Sequence, residues 1–158
     1  MIAPTPAKAS SPCADGPRMD QRLSLITLAA EDVHASRAFY ERLGWSAGFH
    51  NDDVAFFQLN GFVLGLYRRE AFEAELGRKM VPSQGFSLAH NVPDKGAVDD
   101  VLDALVAAGG SLLHDAVDRP WGGRSGYAAD PDGHAWEVAW NPDWGIDQDG
   151  DTIMVIKD

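Results

Sequence analysis

Apolar and polar positions in the first third of the chain are spaced in a way that predicts one strand followed by one helix. The run LSLITLAA (residues 23–30) is short and almost entirely apolar, which is typical of a buried strand. The next segment, EDVHASRAFYERLGW (31–45), has helical spacing, with Asp32 placed to cap its first turn and Gly44 placed to end it. The apolar stripe of this helix is Phe39, Tyr40 and Leu43.

Three further strand-like runs follow the helix, and they are WSAGF, DVAFFQL and FVLGLY. The last two are separated by Asn60 and Gly61, a pair that strongly favours a tight hairpin turn. Pairing across that turn sets Phe56 opposite Gly65. A ring opposite a glycine leaves space, and we expect that space to form part of a pocket.

The same order of elements recurs in the second half of the chain. FSLAHNV predicts a strand, DKGAVDDVLDALVAAGG predicts a helix, and SLLHDAV, GYAAD and HAWEVAW predict three more strands. EAFEAELGRKM predicts a short helix that links the two copies. We therefore predict an α+β fold with two βαβββ units, residues 23–68 and 85–142, whose strands form a curled mixed sheet around a shared cavity.

The two ends of the chain differ from this pattern. Residues 1–22 are rich in Pro, Ala and Ser, and we expect a disordered tail there, followed by the domain at 23–142 and a C-terminal extension at 143–158. DQDGD (147–151) has the alternating acids of a calcium loop but lacks its required glycine and flanking helices, so we expect a solvated turn. The sequence shows no secretory signal and no run near the roughly 20 apolar residues of a membrane span, which predicts a cytoplasmic protein.

Composition narrows the classes of partner. The chain has 158 residues and a formal net charge of −11, and this charge disfavours nucleic acid, because phosphate binding needs a basic face. Hydrophobic residues make up 45% of the chain and five of them are Trp, which is enough for one well-packed domain. Cys13 is the only cysteine, so the chain has no internal disulfide and no Cys-rich metal site.

A single carboxylate, Glu137, stands in the middle of the last apolar strand. It follows DPDG, which predicts a tight turn because Pro presets φ and the Asp side chains bond nearby backbone N–H groups. Side chains alternate along a strand, so Glu137 shares one face with Ala135 and Ala139, while the bulky residues take the other face. Two alanines and a glutamate make a poor core but a suitable ligand wall. We expect Glu137 to face a cavity.

Two motifs, FYERLG after the first strand and DPDGHAWE near the end, together with the paired βαβββ units, resemble the glyoxalase/bleomycin resistance protein/dioxygenase superfamily, also called the vicinal oxygen chelate fold. The resemblance covers about residues 23–142. It implies the glyoxalase/bleomycin resistance fold and a small-molecule cavity. It does not by itself imply one activity.

The resemblance also implies where a metal would be held. In enzymatic members of that superfamily, ligands come from the first and fourth strands of each unit. The corresponding positions here are Leu25, Gly65, Ser87 and Glu137, of which only Glu137 is a good ligand. A catalytic zinc or iron site needs about three converging donors. We therefore expect a metal-free member of the superfamily with no metal and no cofactor.

The first functional hypothesis is a binding module without chemistry. Metal-free members of the superfamily include drug-sequestering proteins that hold an antibiotic in a cavity at a dimer interface, so we expect an aromatic natural product or antibiotic as ligand and a homodimer as the assembly. The candidate ligand-binding residues are Phe56, Tyr67, Trp121 and Trp144 for stacking, and Gln58, Asn91, Arg124 and Glu137 for polar contacts.

Each candidate residue also has a purely structural interpretation. Trp and Phe fill cores more often than they line sites, and Arg124 can pair with a surface carboxylate. The alternative functional hypothesis is a vicinal oxygen chelate enzyme, a lyase or dioxygenase, with Glu137 as general base or metal ligand. The sequence shows no nucleophile paired with a base, so Glu137 is the only candidate catalytic residue.

Overall fold

The computed structural model describes residues 19–81 and 85–154. The first unit forms a four-stranded sheet in the order β1-β4-β3-β2, in which β1 runs parallel to β4 and the other pairs are antiparallel. Its elements are β1 (Leu25–Ala30), α1 (Val33–Arg42), β2 (Phe49–His50), β3 (Val54–Gln58) and β4 (Val63–Arg68).

The second unit repeats this topology in a sheet of order β5-β8-β7-β6. After the linking helix α2 (Arg69–Leu76), its elements are β5 (Leu88–Asn91), α3 (Ala97–Ala107), β6 (Ser111–Asp118), β7 (Arg124–Ala129) and β8 (Ala135–Trp140). The α+β class and the two βαβββ units are thus confirmed. The two units form two separate sheets, with no ladder of hydrogen bonds between them in the described part of the chain.

The predicted caps and the predicted turn explain where these elements begin and end. Asp32 accepts a hydrogen bond from the backbone N–H of Ala35 at 3.0 Å, which caps α1. Gly61 has a φ of 77° in the β3–β4 turn, a conformation that favours glycine. The strand predicted at WSAGF is limited to Phe49–His50, because the backbone N–H of Trp45 instead bonds to the carbonyl of Tyr40 and continues the end of α1.

The C-terminal extension forms a hairpin of β9 (Trp144–Ile146) and β10 (Thr152–Met154). Its turn is the DQDGD segment, in which Asp147 Oδ1 accepts the backbone N–H groups of Asp149 and Asp151, each at 2.9 Å. The predicted exposed turn is present, and it is held by local Asx hydrogen bonds. The tail prediction for residues 1–18 lies outside the described residues.

Side chains of α1 and α3 and of both sheets form one shared core that joins the two units. A buried hydrogen-bond network lies at their junction. Tyr40 on α1 donates to Asp130 at 2.8 Å, and Trp136 Nε1 donates to the Tyr40 hydroxyl at 3.2 Å. His134 Nδ1 lies 2.9 Å from Asp130 Oδ2. We call Tyr40, Asp130, His134 and Trp136 the junction network.

Within the described residues, no helix is both long and apolar enough to cross a membrane.

Candidate functional site

Each sheet has a face opposite the one on which α1 or α3 packs, and we call these the open faces; α2 covers only the Tyr67 end of the first one. On β3, Phe57 is buried in the core beneath α1, whereas the neighbouring Phe56 points to the open face. The rings of Phe49 and Phe56 stack there with centroids 6.2 Å apart and planes inclined by 26°. Phe49 is 54% exposed, so the pair forms a flat aromatic platform at the surface of the first unit.

The space predicted above Gly65 does not exist, and this corrects the sequence interpretation. The ring of Phe56 lies over Gly65, so a Cβ at that position would be 3.1 Å from Phe56 Cε1 and 3.3 Å from Leu25 Cδ1. The absence of a side chain at Gly65 lets the ring lie flat against the sheet. The result is a platform and not a pocket.

Glu137 lies on the open face of the second sheet, directly opposite Tyr127 in the β7–β8 ladder. Burial raises the pKa of the Tyr127 hydroxyl, and the neighbouring Glu137 carboxylate raises it further. The guanidinium carbon of Arg119 lies 5.9 Å from the centre of the Tyr127 ring, within range of a cation–π interaction. A carboxylate, a neutral phenol and a guanidinium are therefore close together on one sheet face.

Sequence reasoning missed Arg119 and Tyr127. The signal for Tyr127 was present, because counting back across the DPDG turn in antiparallel register pairs it with Glu137. No comparable signal identifies Arg119. It reaches the site from the β6–β7 connection, where its Nε donates to Ser125 Oγ at 2.9 Å.

The structure places four of the predicted residues on open faces. Asn91 pairs with Ala139 and so shares the face of Glu137 on the second sheet. Phe56 and Tyr67 share the open face of the first sheet, but the Tyr67 ring stacks on Phe72 with centroids 5.4 Å apart.

Arg124 lies on the other face of its sheet, opposite Trp140. Its guanidinium binds both carboxylate oxygens of Asp99 at 2.9 Å and reaches Asp118 at 3.2 Å. The Arg124 side chain therefore pairs with two surface carboxylates, which is the structural role that the sequence also allowed.

The remaining candidates are dispersed. Trp121 is 46% exposed in the β6–β7 connection, and Trp144 is 43% exposed on β9. Gln58 ends β3, where its amide donates to the carbonyl of Leu59 at 2.8 Å. These three residues do not join Phe56 or Glu137 in one described cavity.

The family-implied metal position does not offer a set of donors that fits a transition metal. Leu25 and Gly65 have no donor atom in their side chains, and Ser87 is a weak ligand, which leaves Glu137 alone. Among residues 19–81 and 85–154, the three potential ligands that converge are Asp130, Asp132 and His134, in the β7–β8 turn. Asp130 and His134 already bond to each other there as members of the buried junction network.

A separate cleft of about 960 Å³ lies between the two units and the C-terminal hairpin. Phe57, Leu64 and Trp136 line it, and these side chains alternate with Phe56, Gly65 and Glu137 along their strands. The centre of the cleft therefore lies on the side of the sheets opposite the two open faces. The predicted ligand residue Gln58 and Ala89, which belong to the open faces, also line it.

Comparison with known proteins agrees with this architecture. Residues 22–138 match the family model of the Glyoxalase/Bleomycin resistance protein/Dioxygenase superfamily. A glyoxalase-related enzyme from Fulvimarina pelagi is 41% identical, with a TM-score of 0.81 over 86% of this chain and 99% of its own. No curated protein matches the sequence.

More distant structures share the fold alone. Lactoylglutathione lyase from Agrobacterium tumefaciens is 23% identical, with a TM-score of 0.62 over 78% of this chain and 96% of its own. A glyoxalase/bleomycin resistance protein/dioxygenase family enzyme from Burkholderia phytofirmans is 20% identical, with a TM-score of 0.64 over 74% of this chain and 96% of its own. The paired units, the family match and the 41% identical relative show that the chain belongs to the Glyoxalase/Bleomycin resistance protein/Dioxygenase superfamily.

Proposed function

We propose that this protein binds a flat, partly aromatic small molecule, of the kind found among natural products and antibiotics, without using a transition metal. The observation that carries the proposal is the stacked pair of the exposed Phe49 and the half-buried Phe56 on the open face of the first unit. Exposed stacked rings offer a ligand a large apolar surface and favourable ring–ring geometry, worth about 0.5–1.5 kcal/mol per aromatic pair beyond burial.

The open face of the second unit supplies the polar half of the proposed site. Glu137 can accept hydrogen bonds or balance a cationic group. Tyr127, whose pKa is raised above its ordinary value by burial and by Glu137, is protonated at neutral pH, so its hydroxyl is a donor beside the Glu137 carboxylate. Polar groups of this kind set the orientation of a ligand whose affinity comes mostly from apolar contact.

We expect a homodimer, because one chain leaves both open faces uncovered. Leu25 and Phe49 are about half exposed on the first open face, and Ile153 and Met154 are exposed on the C-terminal hairpin. A two-fold partner is the commonest cover for such apolar surface and for unpaired strand edges. Light scattering at micromolar concentration should give twice the mass of the 17.1 kDa chain, and a monomer mass there would contradict the proposed dimer.

A ligand screen by thermal shift tests the proposed binding function. A panel of bleomycin and planar aromatic antibiotics should contain compounds that raise the melting temperature, since ligand at 100 times its Kd adds about 2.7 kcal/mol of stability. Phe56→Ala should weaken binding of such a compound about tenfold. The matched control is Phe62→Ala, which removes a ring from the same hairpin on the cleft side and should leave the affinity unchanged.

Two outcomes would count against the proposal. One is a compound whose affinity survives Phe56→Ala and Glu137→Gln, because it would bind elsewhere. The other is loss of binding after treatment with EDTA and recovery with zinc or iron, because it would show that the site needs a metal.

An enzyme remains the second candidate, and the pairing of Glu137 with a protonated Tyr127 favours it. The carboxylate is a possible general base and the phenol a possible general acid toward a bound substrate. The 41% identical relative is described as a glyoxalase-related enzyme, and a more distant neighbour is a lactoylglutathione lyase. Lactoylglutathione lyase activity that Glu137→Gln abolishes, with unchanged stability, would establish this alternative.

A further inference from the structure

We propose that the cleft between the two units is a second small-molecule site, selective for aromatic amines that carry a positive charge. It differs from the open faces, because its central lining side chains, Phe57, Leu64 and Trp136, project from the opposite side of the sheets. The inference does not depend on the proposed function of the open faces.

The floor of the cleft is formed by the half-buried ring of Trp45, with the buried rings of Trp136 and Phe57 behind it. Trp45 makes edge contacts with two other rings, with centroids 5.9 Å from Trp136 and 5.8 Å from Phe57. Leu64 and Ile26 extend this floor on the first unit. The volume of about 960 Å³ is at the upper end of the roughly 300–1,000 Å³ range of drug-sized sites, so the cleft has room for a polycyclic ligand.

One wall of the cleft is held in place by side-chain hydrogen bonds. The amide of Asn60, at the tip of the β3–β4 hairpin, donates to the carbonyl oxygen of Asp149 at 2.8 Å and to Asp151 Oδ1 at 2.9 Å. These bonds join residues that lie 89 and 91 positions apart. Because these bonds anchor the C-terminal hairpin, the wall is ordered before a ligand binds. Less conformational entropy is therefore lost on binding.

The charged residues that line the cleft are acidic. Asp149 and Asp151 line it, and none of the described lining residues is Lys or Arg. His90 also lines it, and desolvation lowers the pKa of its ring, so the ring is neutral at pH 7 and does not offset the acids. No described side chain or backbone N–H is bonded to the carboxylate of Asp149. A free carboxylate beside an aromatic floor is complementary to a planar organic cation.

Titration with 9-aminoacridine, a planar cation at neutral pH, tests the proposal. The dye should quench the fluorescence of Trp45 and Trp136, and the anionic acridine-9-carboxylate should bind about tenfold more weakly. Asp149→Asn should weaken binding of 9-aminoacridine about fourfold, because it removes one charge and no described contact. Its matched control is Asp103→Asn on the exposed side of α3, which makes the same change in net charge and should have no effect.

A blocking variant separates the cleft from the open faces. Ser46 lines the cleft, is exposed and makes no described hydrogen bond, so Ser46→Trp should place a bulky ring in the cleft and strongly weaken binding without loss of fold. Because the open face is also proposed to take planar aromatic molecules, the titrations are repeated in the Phe56→Ala background, where the dye should still bind the cleft and quench Trp45 and Trp136. The proposal is overturned if the carboxylate analogue binds equally well, if Asp149→Asn and Asp103→Asn behave alike, or if Phe56→Ala but not Ser46→Trp removes binding.

Discussion

Asp130→Ala is expected to lower the free energy of unfolding by about 4 kcal/mol. The side chain is 3% exposed and accepts hydrogen bonds from the Tyr40 hydroxyl and from the backbone N–H groups of Asp132 and His134. It also contacts the ring of His134. Alanine accepts none of these bonds, and the buried donors are left without partners in an environment that excludes water. Urea unfolding followed by far-UV circular dichroism measures the loss.

Two further variants show whether the loss comes from the junction network. Asp103→Ala removes an exposed carboxylate from α3 and should change the stability by less than about 0.5 kcal/mol. Tyr40→Phe removes one donor to Asp130 and should cost about 1–2 kcal/mol. A loss of less than 1 kcal/mol for Asp130→Ala would contradict the conclusion that this carboxylate joins the two units.

Phe57→Ala is expected to cost about 4 kcal/mol of stability, while Phe56→Ala one position earlier costs about 1 kcal/mol or less. Phe57 is 1% exposed and contacts the rings of Tyr40 and Trp45, so its removal leaves a cavity between α1 and the sheet. Phe56 rests on Gly65 at the surface of the open face, where solvent fills the vacated volume. Chemical denaturation of both variants measures the difference.

The same pair of variants also separates stability from binding. Phe56→Ala should lose affinity for an aromatic ligand of the open face and keep its stability. Phe57→Ala, studied below its unfolding midpoint, should retain the ligand contacts of the open face. Equal losses of stability in the two variants would mean that both rings are core residues and that the assignment of faces is wrong.

Local chemistry made much of the fold predictable from the sequence. Asp32 bonds to a backbone N–H three residues away, and Gly61 acts through its own φ, so a short stretch of sequence is enough to place this cap and this turn. The repeated order of strands and helix then indicated two units, and the topology of both sheets confirms it. The faces of Phe56 and Glu137 followed from alternation alone.

The candidate site was less predictable, because it depends on contacts between distant segments. Arg124 has the chemistry of a ligand-binding residue, but the surface of α3 places Asp99 beside it and occupies its guanidinium. Gly65 indicated open space, but the flexible χ angles of Phe56 allow its ring to cover the glycine. The cleft depends on how the C-terminal hairpin meets Asn60, and no local pattern specifies that contact.

The junction network has a consequence for how the chain is assembled. Each four-stranded sheet is completed by residues of its own unit, so its closing contacts are comparatively short in sequence. By contrast, the Tyr40–Asp130 bond spans 90 positions, and the backbone of Glu31 bonds to Asp132 across 101. Bringing two such distant residues together costs conformational entropy, and this cost is incurred before their contact can stabilise the chain. Each sheet can therefore form through contacts within its own unit. The contacts between distant segments are concentrated in the junction network and in the contact of Asn60 with the C-terminal hairpin.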